Sequence, residues 1–538
     1  MNFGIWGVVS LVVYLVALLS VAEVARRARR DTSPSDHFLA GRSLGTFVLF
    51  LTLYATAYSG NSLLGYPGRA YRDGYSFIMA TGFMMSIIVM FHVIVPRLRP
   101  LAVHHAFVTP GDYLRLRFSG PWAKPLRLAV AVLMCLALAN FLLAQLKAMG
   151  DVASVVTDGR ISYAAGVIGL AAVILFYETR GGMRAVAWTD AAQGIAMLLG
   201  LAALLGWLLT EAGGLAEITR TVAERRPSAV SLPTARVCIN WFSTIVLMGL
   251  ASVLYPQAIQ RIFAARSGRA LKRSFSGMTF MPLATTLVVT LIGVAAIARF
   301  EIANAVDTDE VVPMLLRDWG SAGGFSTWAA LLVFFGALSA IMSTADSCLL
   351  SLGSLMSRDL MGRAGSDEKA TRLGKHLATG LLVATIPFAL WRELTLWRLI
   401  ELKMELLIQC VPAFLIALHW SRLRAGPVFA GIIVGTLFSA GLSLSGVTRL
   451  AGVHVGVVGC ALNALVAVLG SLWPNAGQPR SATPAGASSG GQNDPAESTR
   501  QHRNLQVISA TRPAPPSRVM RVAWTAVAVA SRGLLRGG

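Results

Sequence analysis

Charge is scarce in this chain, and acid is scarcer than base. Of 538 residues only 14% are charged, with 47 Lys and Arg against 26 Asp and Glu. That scarcity excludes an ordinary soluble domain, where about a quarter of residues carry charge. Cysteine is sparse too. Cys135, Cys238, Cys348, Cys410 and Cys460 lie far apart, and none forms a Cys-x-x-Cys pair. A disulfide frame or a thiolate metal site is therefore not expected, and the five read as reduced packing residues. The histidines (His37, His92, His104, His105, His376, His419, His454 and His502) show no metal-ligand spacing. No nucleophile motif or phosphate loop is present either. Neither an enzyme nor an organic cofactor is expected.

What the chain has instead is apolar sequence. Over half of it, 55%, is hydrophobic, and its mean hydropathy is +0.62. It reads as an all-α integral membrane protein with lipid as its surroundings. The length leaves room for roughly a dozen spans of about 20 residues. The net charge of +21 does not point to nucleic acid, because the basic residues sit in short loops between apolar runs. That is the positive-inside pattern of membrane proteins. The apolar run 3–21 lacks a basic leader and a cleavage site, so it reads as a retained helix, not a signal peptide.

About thirteen spans fit. They fall near 4–24, 44–68, 75–96, 126–147, 161–177, 185–209, 238–256, 276–298, 326–351, 376–391, 397–420, 426–445 and 453–473. Arg26, Arg27, Arg29 and Arg30 place the first loop in the cytoplasm and the N-terminus outside. Arg261, Arg266, Arg269, Lys272 and Arg273 mark the loop after the seventh span as internal, and an odd number of spans leaves the C-terminus inside. Loop 210–236 breaks the pattern with Arg220, Arg225, Arg226 and Arg236. A transmembrane domain over 1–475 is expected, then a disordered basic cytoplasmic tail over 476–538, rich in Pro, Ser and Gly. The 519–530 segment is apolar but too short to span.

Polar residues inside spans point to a site. The stretch 336–347 carries Ser339, Ser343, Thr344, Asp346 and Ser347 within an otherwise apolar run. Ionisable groups there usually face a cavity or an ion path. The Ser343 and Thr344 hydroxyls, with the Ala340 carbonyl one turn earlier, offer the all-oxygen shell that a hard cation such as Na⁺ needs. The hydroxyls alone are equally satisfied by bonding back to the helix. Two spans look broken. The second reads Ala55-Thr56-Ala57-Tyr58-Ser59-Gly60-Asn61-Ser62, then Gly65-Tyr66-Pro67-Gly68, and the seventh ends in Leu254-Tyr255-Pro256-Gln257. Paired interrupted helices five spans apart are the sequence pointer to a midplane binding site. Kinks of this kind also occur in packed helices with no site.

Four stretches resemble the sodium:solute symporter family of proline, pantothenate and sodium/glucose carriers. They are Ala40-Gly41-Arg42-Ser43-Leu44-Gly45 with Ser59-Gly60 and Gly65-Tyr66-Pro67-Gly68; Gly181-Gly182-Met183-Arg184-Ala185-Val186-Ala187-Trp188-Thr189-Asp190 with Gln193; Gln257-Ala258-Ile259-Gln260-Arg261 with Ala264-Ala265-Arg266-Ser267; and Met342-Ser343-Thr344-Ala345-Asp346-Ser347. The resemblance covers about residues 1–475. It implies a core of inverted five-helix repeats, near 44–209 and 238–420, each opening on a broken helix. It also implies Na⁺ as coupling ion, held by the carbonyls of Ala55, Tyr58 and Ala340 and the hydroxyls of Ser343 and Thr344. Asp190 matches an acidic position on the family's inner ion path, and Asp346 is a second candidate there. Some members carry an aspartate where this chain has Ala57. Where sugar carriers place Asn, Tyr and Trp, this chain has Gly249, Ser252 and Val253, which counts against a sugar.

The expected solute site comprises Ser59, Gly60, Asn61 and Ser62, facing Tyr255 and Gln257, and free amides in the second span would suit a carboxylate. Glu401 and Glu405 share one face of the eleventh span and are expected to line an outer vestibule or to reach the membrane interface. Together these features predict alternating-access uptake of a small organic solute, a carboxylate or an amino acid, by a plasma-membrane protein of the bacterial inner membrane type. The expected partners are the solute and membrane lipids, with no nucleic acid and a monomeric chain. Proton coupling, and a carrier-like sensor signalling to a cytoplasmic partner, remain alternatives.

Overall fold

The computed structural model describes residues 3–27, 34–178, 183–362 and 368–473. The tail 476–538 and the Gly181-Gly182 pair fall outside the described residues. Apart from a two-stranded hairpin, Arg449–Leu450 with Val453–His454, the regular structure described is helical. Nine described helices are long and apolar enough to cross a membrane, and shorter apolar helices lie at Ile5–Tyr14, Thr46–Ala57 and Tyr163–Leu175. Helices occupy every expected span position. The fourth is longer than expected, 34 residues over Ala123–Val156. The eleventh is divided into Leu396–Ile408 and a second piece reaching His419.

The breaks come where expected, for two different local reasons. In the seventh span, helix Ala235–Ser252 stops and Pro256 opens a second helix, Pro256–Ala264. Proline pushes the preceding residue out of the helical region, and Tyr255 sits at φ −57°, ψ 121°. Proline then loses nothing at the first helical turn, where its missing N–H would have no partner. In the second span Pro67 is not the breaking residue. The helix leaves its path at Tyr58 (φ −110°, ψ 93°) and resumes when the Ser62 and Leu63 amides donate to the Ser59 carbonyl. A wide π-helical turn over Asn61–Gly65 then precedes Pro67 and absorbs its missing donor.

The ninth span, Phe325–Ser354, is the central post. Every residue from Gly336 to Leu355 is buried, so its hydroxyls face protein and not lipid. The ends of the second and seventh spans are stitched together on the side expected to be internal. There the Leu44 amide donates to the Ala264 carbonyl at 3.2 Å, and the Arg266 amide donates to the Leu44 carbonyl at 2.9 Å. Ala40, Gly41 and Arg42 form a left-handed turn with φ of 51°, 60° and 56°, costly for the two non-glycine residues. The Arg42 guanidinium offsets this by donating to the carbonyls of Phe263, Ala102 and Phe107.

The opposite ends are joined by charge. Buried Lys147 donates to Asp151 at 2.9 Å and to Asp309 at 3.1 Å. Arg392 bridges Asp151 and Glu310 at 3.0 and 2.6 Å, and the Leu396 amide donates to Asp309 at 2.7 Å. This links the fourth span, the loop before the ninth and the start of the eleventh. Lys147→Met should lower stability by about 3 kcal/mol, because Asp309 keeps its burial and loses its cation. Thermal unfolding of the purified protein checks this, and a change close to zero would mean that the cluster is hydrated.

Candidate functional site

Two sites converge near the breaks. The first is a polar hub around Asp190, the eighth residue of helix Met183–Glu211. Asp190 is therefore too deep in its helix to act as an N-terminal cap. It is fully buried and pairs with Arg261, also fully buried, at 2.7 Å. Thr52 donates to the same carboxylate oxygen and Ser343 to the other. Arg261 also donates to Thr52 at 2.8 Å, to Ser347 at 2.6 Å and to the Gln257 carbonyl at 3.1 Å. Ser347 donates back to the Ser343 carbonyl. The second, sixth, seventh and ninth spans thus meet at one ion pair. Sequence reasoning counted Arg261 among the basic residues of an internal loop. The structure corrects this: it belongs to the short helix that Pro256 begins and points into the protein.

Of the five oxygens expected to bind Na⁺, the Ser343 hydroxyl belongs to this hub; the others come from Ala55 and Tyr58 on the second span and from Ala340 and Thr344 on the ninth. Ser343, giving its proton to Asp190, keeps its lone pairs for another partner. The Thr344 hydroxyl is buried and makes no hydrogen bond, which is costly in an interior unless a ligand completes it. The Gly60 amide, which in a continuous helix would serve the Thr56 carbonyl, donates to the Gln145 side chain at 3.1 Å, and the Ser62 amide, which would serve Tyr58, donates to Ser59. Ala55, Tyr58 and Ala340 are buried. Gly60 sits tight against the ninth span, where an added Cβ would lie 2.6 Å from the Ile341 side chain. Asp346 is fully buried on the ninth span, one turn beyond Met342.

The second site is a cavity between the second, third, fourth, seventh and eleventh spans, with Phe275 and Met278 closing it from the start of the eighth. Ser59, Asn61, Ser62 and Tyr255 line it, as expected, while Gly60 and Gln257 do not. Gln257 is buried with both amide atoms unpartnered. The expectation that free amides of the second span would receive a carboxylate is not met at Gly60, Ser62 or Leu63, since each amide already has an acceptor. The cavity has one cationic lining residue, Lys403, which the sequence places between Glu401 and Glu405 at the opening of the eleventh span without marking a role for it. Its ammonium lies 3.2 Å from the centre of the Phe141 ring and 5.5 Å from that of Tyr255, and the two rings stack at 5.5 Å. Most of the remaining wall is apolar, including Phe83, Met84, Ile88 and Met404, and Thr56, Tyr58, Tyr66 and Ser252 add hydroxyl groups.

Glu401 and Glu405 take neither role expected of them. They are 4% and 5% exposed, and they face away from the cavity. Arg398 donates to Glu405 at 2.9 Å, and Arg449 to Glu401 at 3.1 Å. The Ser443 hydroxyl donates to Glu405 at 2.8 Å. Acids two positions either side of Lys403 project from the opposite side of the helix. The signal available in the sequence was the alternation Glu-x-Lys-x-Glu, which on a helix places the lysine alone.

Comparison with known proteins bears on the family and the fold. The family model described as sodium:solute symporter family matches residues 37–435. The sodium/pantothenate symporter of Escherichia coli is 26% identical over 86% of this chain and 96% of its own. The sodium/proline symporter of Salmonella typhimurium is 26% identical over 80% of this chain and 86% of its own. A solved Na⁺-coupled sialic acid symporter, in a substrate-bound outward-open state, superposes with a TM-score of 0.71 at 18% identity, covering 86% of this chain and 97% of that one.

Breaking the hub from one side should be worse than removing it. Arg261→Met strands a buried carboxylate and should cost about 3–5 kcal/mol. Adding Asp190→Asn should recover much of that, so the double variant should melt above the single one. Additive losses in thermal unfolding would show that the pair is not a unit.

Proposed function

The chain belongs to the sodium:solute symporter family, and from that premise we propose how its two sites divide the work. It is a multi-pass membrane transporter that couples Na⁺ movement to uptake of a small organic solute, and it is not an enzyme. Na⁺ is held between the second and ninth spans by the carbonyls of Ala55, Tyr58 and Ala340 and the hydroxyls of Ser343 and Thr344. The observation that carries this is the Thr344 hydroxyl, buried and unpartnered, together with the Tyr58 carbonyl, whose ladder donor, the Ser62 amide, is engaged by Ser59. Na⁺ there joins two elements that must otherwise separate, so it stabilises the form ready to accept solute. Ser343 belongs to both the ion shell and the Asp190 hub, and Asp190 with Asp346 lines the route by which the ion leaves inward.

The solute occupies the central cavity, touching Ser59, Asn61, Ser62 and Tyr255, with Gly60 and Gln257 shaping the break behind them. Its class is a small organic carboxylate or amino acid, in line with the pantothenate and proline named for the relatives. The N-terminus lies outside and the C-terminus in the cytoplasm, in a bacterial inner membrane, with lipid as the only other partner of a monomeric chain. The basic loops support that orientation.

Thermal unfolding in NaCl against choline chloride tests the ion site. A ligand of the native state at ten times its Kd adds about 1.4 kcal/mol. Wild type should be stabilised specifically by sodium, and Ser343→Ala/Thr344→Ala should not respond. No sodium effect in wild type would turn the reading towards proton coupling or sensing.

A further inference from the structure

The central cavity holds one buried cation and no acid. Its lining includes Lys403 and neither Asp nor Glu. Lys403 is 2% exposed, and among the described residues no carboxylate lies within ion-pair distance of its ammonium. The acids nearest in sequence, Glu401 and Glu405, are held by Arg398 and Arg449 on the other side of the helix. What the ammonium does have is two ring faces, Phe141 and Tyr255. Ring faces attract a cation, but they replace only part of the hydration that burial removes. The lining itself leaves the charge under-compensated. Beside it lie two further unmet groups on lining residues, the Asn61 amide nitrogen and the Tyr255 hydroxyl.

We propose that Lys403 is the acid-recognising group of the solute site, and that the solute is a monocarboxylate with an apolar body and no amine. This rests on the cavity being the solute site, as proposed above, and it narrows the solute class. A carboxylate at Lys403 supplies the missing counter-charge, with Tyr255 and Asn61 donating to it or to a neighbouring polar atom. The walls of Phe83, Met84, Ile88 and Met404 then take the body. An amino acid brings its own ammonium, and the lining offers that ammonium no acid, so its burial beside Lys403 sets two like charges in one dry space. The same argument excludes an uncharged amide, which leaves the lysine unpaired.

The test uses the full-length protein in detergent with NaCl and two matched trios. These are 3-phenylpropanoate, 3-phenylpropanamide and phenylalanine, and 4-methylpentanoate, 4-methylpentanamide and leucine, with pantothenate added. In wild type, at least one of the acids should raise the unfolding temperature, and its amide and its amino acid should not. Lys403→Met should weaken that acid about thirtyfold or more, while Lys403→Arg should keep part of the response. Without any acid, Lys403→Met should melt at or above wild type, because it removes a buried charge whose partner is absent. The proposal is overturned if an amide or amino acid matches its acid, if Lys403→Met still responds, or if no acid acts on wild type. A ligand-free Lys403→Met that melts well below wild type also overturns it, since that marks a structural lysine. The sodium shift, measured in the same samples before acid is added, reports separately on the ion site. Its loss with acid binding intact would sink the sodium assignment and leave this one standing.

Discussion

A single buried ion pair, Asp190 with Arg261, organises the side of the protein expected to face the cytoplasm. Two charges without water are worth holding only when every remaining hydrogen-bonding position is filled. Here Thr52, Ser343 and Ser347 fill them. The pair therefore demands that the second, sixth, seventh and ninth spans all be in place at once. That demand is also an opportunity for control. The Ser343 hydroxyl donates into the pair and keeps its lone pairs, so a ligand that took them would act on an element of the hub.

The broken helices make the sites possible because a continuous helix has no free polar backbone to offer. The seventh span breaks through proline chemistry, and the second through an extended Tyr58 whose neighbour Gly60 must lie close to Ile341 and Gln145. The eleventh span shows a second use of helical geometry. Its acids are neutralised by Arg398 and Arg449 on one face, while its lysine is left to the cavity on the other. Charge of opposite sign is kept apart by the helix itself, and the cavity is given a single cation among uncharged walls.

Much of the architecture was legible in the sequence. Apolar runs fix helix positions because lipid tolerates no unsatisfied backbone, and Gly, Pro and small polar residues mark the breaks. Ser59, Asn61, Ser62 and Tyr255 reach the cavity as anticipated, and Asp190 and Ser343 meet. What the sequence hid was direction. Arg261 looks like a loop arginine, since the positive-inside pattern counts residues near span ends without knowing which way they point. Pro256 was the available warning that a new helix begins there. Glu401 and Glu405 looked like surface acids because their partners, Arg398 excepted, come from a distant segment. Gly60 and Gln257, expected at the solute site, do not line the cavity.

The most direct test of the whole account is transport. Proteoliposomes holding the purified chain would be given radiolabelled pantothenate, 3-phenylpropanoate or 4-methylpentanoate under an inward sodium gradient, under equal sodium, and under an inward proton gradient without sodium. Accumulation of at least one of these acids above its external concentration under the sodium gradient alone is the predicted result. Accumulation that ignores sodium or follows the proton gradient, or no uptake of any acid, would contradict it.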